Sequence, residues 1–161
     1  MKKTQQGITI KRTSSTIIFI YLLICGMIAP ASIINQAMKK TSQDTFNDYV
    51  KKYQEDPLAK EIAEVCKEEN YTLNEIFCVN TIISEEYNFT KPEKGVKSPS
   101  KTLSEGGVCR DWSVTNAVIL KKLGWNTQFI IIPGHTFIVA DKKNYYCIID
   151  GKSTECQEMK E

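Results

Sequence analysis

The 161-residue chain has a single histidine, His135, too little to build an ordinary metal site, which needs three or four ligands. No metal and no cofactor is therefore expected. A site from Cys109, His135 and Asp150 would need more ligands than one histidine readily supplies. The net charge of +2 is too small for a nucleic-acid partner, and no basic face is interleaved with aromatics. There is no internal repeat and no low-complexity tract. With 42% apolar and 25% charged residues the composition is that of a globular chain rather than a disordered one, long enough for one domain plus extras.

One long apolar run is present. From Ile17 to Ile34, "IIFIYLLICGMIAPASII", no residue is charged. Spanning the hydrocarbon core takes about 20 apolar residues, with a range of about 17–25, so the run just suffices as a single transmembrane helix. Lys2, Lys3, Lys11 and Arg12 precede it without an acid, and Lys39 and Lys40 follow. The larger basic count keeps residues 1–16 cytoplasmic and places the C-terminal part outside. The competing expectation is secretion after signal cleavage near Ala31. The proline in Ala29-Pro30-Ala31 and the length of the run favour the uncleaved anchor.

An exterior domain makes disulfides available. Setting aside Cys25 in the apolar run and Cys109 leaves Cys66, Cys78, Cys147 and Cys156. Cys66 and Cys78 flank a break between two helical stretches, and Cys147 and Cys156 flank the Gly151 turn, so local pairs are the simplest pairing. Four small buried hydrophobes are the alternative. Asn70 and Asn88 sit in glycosylation acceptor patterns.

Residues 35–56 are polar and read as a linker ending in a short helix, leaving 57–161 as the folded domain. Pro57 begins a helix in which Leu58, Ile62, Val65 and Cys66 recur at helical spacing, and Leu73 to about Glu86 gives a second. Residues 90–105, with two prolines and many serines and lysines, read as a long exposed loop. A third helix opens at "GGVCRDWSVTNAVILKKLGW" (106–125). Its apolar residues surround it, which implies burial between layers. Three strand-like runs follow at 127–132, 135–140 and 145–150. Helices first and a strand meander afterwards is an α+β order, with the buried helix packed on an antiparallel sheet.

Alternation puts His135 with Phe137 and Val139 on one strand face, and Asp150 with Tyr146 and Ile148 on one face of the next. If Ala140 pairs with Tyr145 across a four-residue turn, His135 lies directly opposite Asp150. Cys109 lies at a helix N-terminus, where the dipole and free N–H groups favour a thiolate. Together the three match a nucleophile, a base and an orienting acid. Each alone has a plainer explanation: packing for the cysteine, structure for the histidine, a turn for the aspartate. Gly106 and Gly107 could admit a substrate backbone, and the Cys109 N–H could stabilise an oxyanion.

"GGVCRDWSVTNAVILKKLGW", then "GHTFIVA", then "YYCIIDG" resembles the core of the transglutaminase-like superfamily, over about residues 102–151. The resemblance implies a papain-like fold and a catalytic triad of Cys109, His135 and Asp150. It also implies a peptide or protein substrate; several members act on cell envelopes. The family's upstream oxyanion side chain has no clear counterpart; Asn80 and Trp112 are the candidates, and Trp112 fits a core position better. The expected function is a membrane-anchored peptidase, amidase or acyltransferase working through a Cys109 acyl-enzyme. The alternative is a non-catalytic extracytoplasmic binding module with a relic triad.

Overall fold

A computed structural model describes residues 31–68 and 72–159, with side chains from residue 42 onward. Residues 1–16 and most of the expected membrane span, residues 17–30, lie outside the described residues. Among those described, no helix is long and apolar enough to cross a membrane.

Five helices and four strands follow one another: α1 Ala31–Lys52, α2 Pro57–Cys66, α3 Thr72–Glu86, α4 Pro99–Glu105, α5 Cys109–Lys122, then β1 Asn126–Ile132, β2 His135–Lys142, β3 Tyr145–Asp150 and β4 Ser153–Glu158. The order is α+β. The elements from Lys39 onward form one compact unit.

Asp56 caps α2, its Oδ1 accepting from the Ala59 N–H at 3.1 Å, with Pro57 in the first helical position where its missing N–H costs nothing. The same carboxylate accepts from the N–H and hydroxyl of Ser100, tying α2 to α4. Ala59, Ile62, Ala63 and Cys66 form the buried stripe of α2. The disulfide Cys66–Cys78 joins α2 to α3, and Cys147–Cys156 joins β3 to β4. Both local pairs expected from the sequence are thus formed.

α5 lies at the centre. Trp112, Val114, Ala117, Val118, Ile119 and Leu120 are all at or below 1% exposure, so both flanks of the helix are covered, as its apolar circumference implied. It ends in a Schellman motif: the Gly124 N–H donates to the Lys121 carbonyl and the Trp125 N–H to that of Leu120. The sheet is an antiparallel meander in the order β1-β2-β3-β4. Its inner face, with Phe129, Ile138, Ala140, Cys147 and Ile149, belongs to the same core as α5.

Several expectations are corrected. Residues 35–56, expected as a linker, are helical as far as Lys52; Val50 is fully buried and Phe46 stacks on Phe129 with ring centroids 4.8 Å apart. The burial of these apolar positions, spaced four apart, makes the segment part of the core. The loop expected at 90–105 ends in α4, which uses Ser98 as cap and Pro99 as first residue. A fourth strand follows Gly151. The β2–β3 register is also shifted: Ala140 pairs with Cys147, not Tyr145, because the turn is only Lys143-Asn144. The shift is two residues, an even number, so His135 and Asp150 stay on one face.

Candidate functional site

The N-terminus of α5 is prepared by the residues before it. Gly106 has φ +78°, and a Cβ there would come within 2.6 Å of the Asn88 carbonyl. Gly107 donates to that carbonyl at 3.0 Å and accepts from the Thr90 N–H at 3.1 Å. A Cβ on Gly107 would press to 2.8 Å from the Asp111 Cβ. Gly106 therefore admits the chain's own 88–90 segment, and Gly107 the side chains of Asp111 and Thr102. That corrects the expectation that the two glycines admit a substrate backbone.

Val108 has no side-chain acceptor, so the helix is capped from inside. The Asp111 carboxylate, 1% exposed, accepts from the N–H groups of Val108 at 2.9 Å and Lys97 at 3.0 Å. Lys97 in turn donates to the Gly106 carbonyl at 3.0 Å and pairs with Glu93 at 3.1 Å. Hydrogen bonds from Lys97, then Lys101, hold the Glu93 carboxyl below the usual carboxylate range, and Glu93 holds the Lys97 ammonium above its own. The result is a braced entry into the helix, with Cys109 in its first turn. Cys109 is partly exposed and is the free thiol among the described residues.

His135 opens β2 after the Pro133-Gly134 turn. Its Nε2 lies 2.8 and 3.0 Å from the two Asp150 oxygens. An ionised carboxylate only accepts, so Nε2 carries the proton and Nδ1 is left to face another group. Because of the shifted register, Asp150 reaches His135 diagonally across the strand pair rather than from directly opposite. The strand that bears the histidine is tied to the helix that bears the thiol: the Ser113 hydroxyl, one turn after Cys109, donates to the Thr136 carbonyl at 2.9 Å.

Cys109 and His135 line one cleft of about 440 Å³ together with Arg110 and Thr136. The Arg110 guanidinium donates a hydrogen bond to the Glu93 carbonyl. Tyr87 has no counterpart in the sequence reading. Its ring stacks on Trp112 at 4.8 Å and closes against Gly151, where a Cβ would meet the ring at 2.8 Å. Burial pushes the Tyr87 phenol up from its ordinary value, and charge on Asp150, then on Cys109, adds to the rise. Tyr87 thus lies within electrostatic reach of both. No sequence signal marks it, since it follows the end of a helix in an otherwise polar stretch.

Of the two oxyanion candidates, Asn80 accepts from the Thr154 hydroxyl at 2.9 Å, and Trp112 is fully buried, its indole N–H without a hydrogen-bond partner among the described residues. Among the described residues no cluster of three or more His, Cys, Asp or Glu could hold a metal ion. Compared with family models, with curated proteins and with solved structures, the chain has no significant match.

Proposed function

We propose that the chain is a membrane-anchored thiol enzyme of transglutaminase-like type, with a papain-like core, that transfers or hydrolyses the acyl group of a peptide, isopeptide or amide. The observation that carries this reading is that His135, held by Asp150 at 2.8 Å, lines the same cleft as a free thiol at a helix N-terminus. The two disulfides agree with an exterior, oxidising location beyond an anchor at Ile17–Ile34.

In this mechanism the Cys109 thiol gives its proton to His135 Nδ1, and the thiolate sulfur bonds to the substrate carbonyl carbon. The carbonyl π pair moves to oxygen, where the Cys109 N–H, in the first helical turn, is a donor. Collapse breaks the carbon–nitrogen bond, and the imidazolium returns the proton to the departing amine. Asp150 accepts from Nε2–H throughout, holding the ring's tautomer and offsetting its charge. Water or a second amine then attacks the thioester, loses a proton to His135 and releases the thiol.

Alkylation by iodoacetamide at neutral pH, read by peptide mass spectrometry on the oxidised full-length chain, tests it. Cys109 is expected to react ahead of Cys25 and of an unstructured thiol, and His135→Ala to slow it about tenfold or more. An unchanged rate in His135→Ala would overturn the proposal. Full biological effect in Cys109→Ala would favour the binding module with a relic triad instead.

A further inference from the structure

The cleft at Cys109 has walls suited to one chemical class of substrate. Phe46, Phe89, Pro92, Val108, Ile131 and Ile132 supply half of its lining residues. Phe89 is 64% and Ile132 49% exposed, unusually open for side chains of this size. Neither is a loose surface residue. The backbone on both sides of Phe89 is bonded to Gly107, and Ile132 pairs with His135 across the β1–β2 turn. Two large apolar groups are thus held in the open on rigid backbone beside the thiol. The fixed cation lining the cleft is Arg110; among the described residues no carboxylate lines it.

We infer that the cleft selects acyl donors carrying a large apolar side chain, aromatic or branched aliphatic, next to the reacting carbonyl. The inference rests on the thiol-enzyme reading and specifies its substrate. A lysyl or arginyl side chain would meet the Arg110 guanidinium and no lining acid. A glutamine side chain would lose hydration against an apolar wall. A phenyl or branched aliphatic group covers Phe89 and Ile132 and removes their surface from water along with its own. The favoured donor is therefore a main-chain peptide carbonyl beside a bulky apolar residue, rather than a glutamine carboxamide.

The test uses N-acetyl-phenylalanyl, N-acetyl-glycyl and N-acetyl-lysyl chloromethyl ketones, each rate of Cys109 alkylation being normalised to that with free glutathione. The phenylalanyl probe is expected to react about tenfold or more faster than the glycyl and lysyl probes, the range one apolar pocket supplies. Phe89→Ala and Ile132→Ala, both at exposed positions, are each expected to lower the phenylalanyl-to-glycyl ratio at least about threefold, each ratio being taken within the same variant. Equal normalised rates for the phenylalanyl and glycyl probes, or a lysyl rate matching the phenylalanyl rate, would overturn the inference. If Cys109 keeps its His135-dependent iodoacetamide reaction in that case, only the substrate class falls. If that dependence is missing, the thiol-enzyme reading falls and takes the inference with it.

Discussion

The two ends of α5 are built for opposite purposes. At the C-terminus every group is closed off. Lys142 Nζ donates to Glu75 Oε2 and to the Leu123 carbonyl, both at 2.6 Å, and Trp125 Nε1 donates to the same Glu75 oxygen at 3.0 Å. The Glu75 side chain is only 3% exposed. At the N-terminus the bracing is turned backward, from Asp111 to Val108 and Lys97, and Cys109 is left facing a cleft. A helix anchored at one end can keep the other open without fraying. Position is set by rigid partners and reactivity is left to the exposed turn. Stability and chemistry should therefore separate along this helix.

The strongest break in that comparison is at the open end. In the mechanism proposed, His135→Ala removes the general base and should lower acyl transfer about 10²–10⁴-fold. Its ion pair with Asp150 is 38% and 49% exposed, the kind that contributes about 0–1 kcal/mol, so the melting temperature should move by only a few degrees. The closed end should give the reverse. Glu75→Ala strands the Lys142 ammonium and the Trp125 indole, at a cost of about 3–5 kcal/mol in urea unfolding. The alkylation rate of the molecules still folded should be unchanged. A large rate loss in Glu75→Ala at full folding would show that the two ends are coupled.

Ser113→Ala sharpens the comparison, because Ser113 joins the thiol's helix to the histidine's strand. Losing a buried hydrogen bond to the Thr136 carbonyl should cost about 1–2 kcal/mol. If the bond positions the pair, alkylation should also slow, by a factor well short of that in His135→Ala. The smallest effect is a pH dependence at Tyr87. Its phenol is raised in the folded chain, chiefly by burial, so folding keeps a proton that the unfolded chain releases near pH 10. The stability this gives is fully present below pH 10 and is lost as pH rises through the folded value. Tyr87→Phe should flatten the fall in melting temperature above pH 10, and an identical fall in both proteins would exclude the assignment.

Much of the layout was legible in the chain. Helices before strands and the all-round apolar face of α5 follow from spacing and turn residues, and local cysteine pairs are the simplest pairing beside the alternative of four buried thiols. The shared face of His135 and Asp150 survived a wrong register because strand alternation has period two, and an even slip leaves sidedness intact. Other elements were hidden for physical reasons. α1 looked like a linker because its polar residues outnumber the few, such as Phe46 and Val50, that reach the core. α4 is only seven residues long and was masked by the prolines and serines that in fact cap it. Glu75 and Lys142 lie 67 positions apart in the chain, and no local pattern marks either as part of a buried lock.

By itself the sequence determined what each local segment can be, because propensity, capping and alternation act over a few neighbours. Only the tertiary structure decided which distant groups meet. The Glu75–Lys142 lock, the Ser113 tie, Tyr87 beside Asp150 and the apolar walls around Cys109 all depend on how segments pack, and packing is chosen by the burial of the whole core rather than by any one stretch.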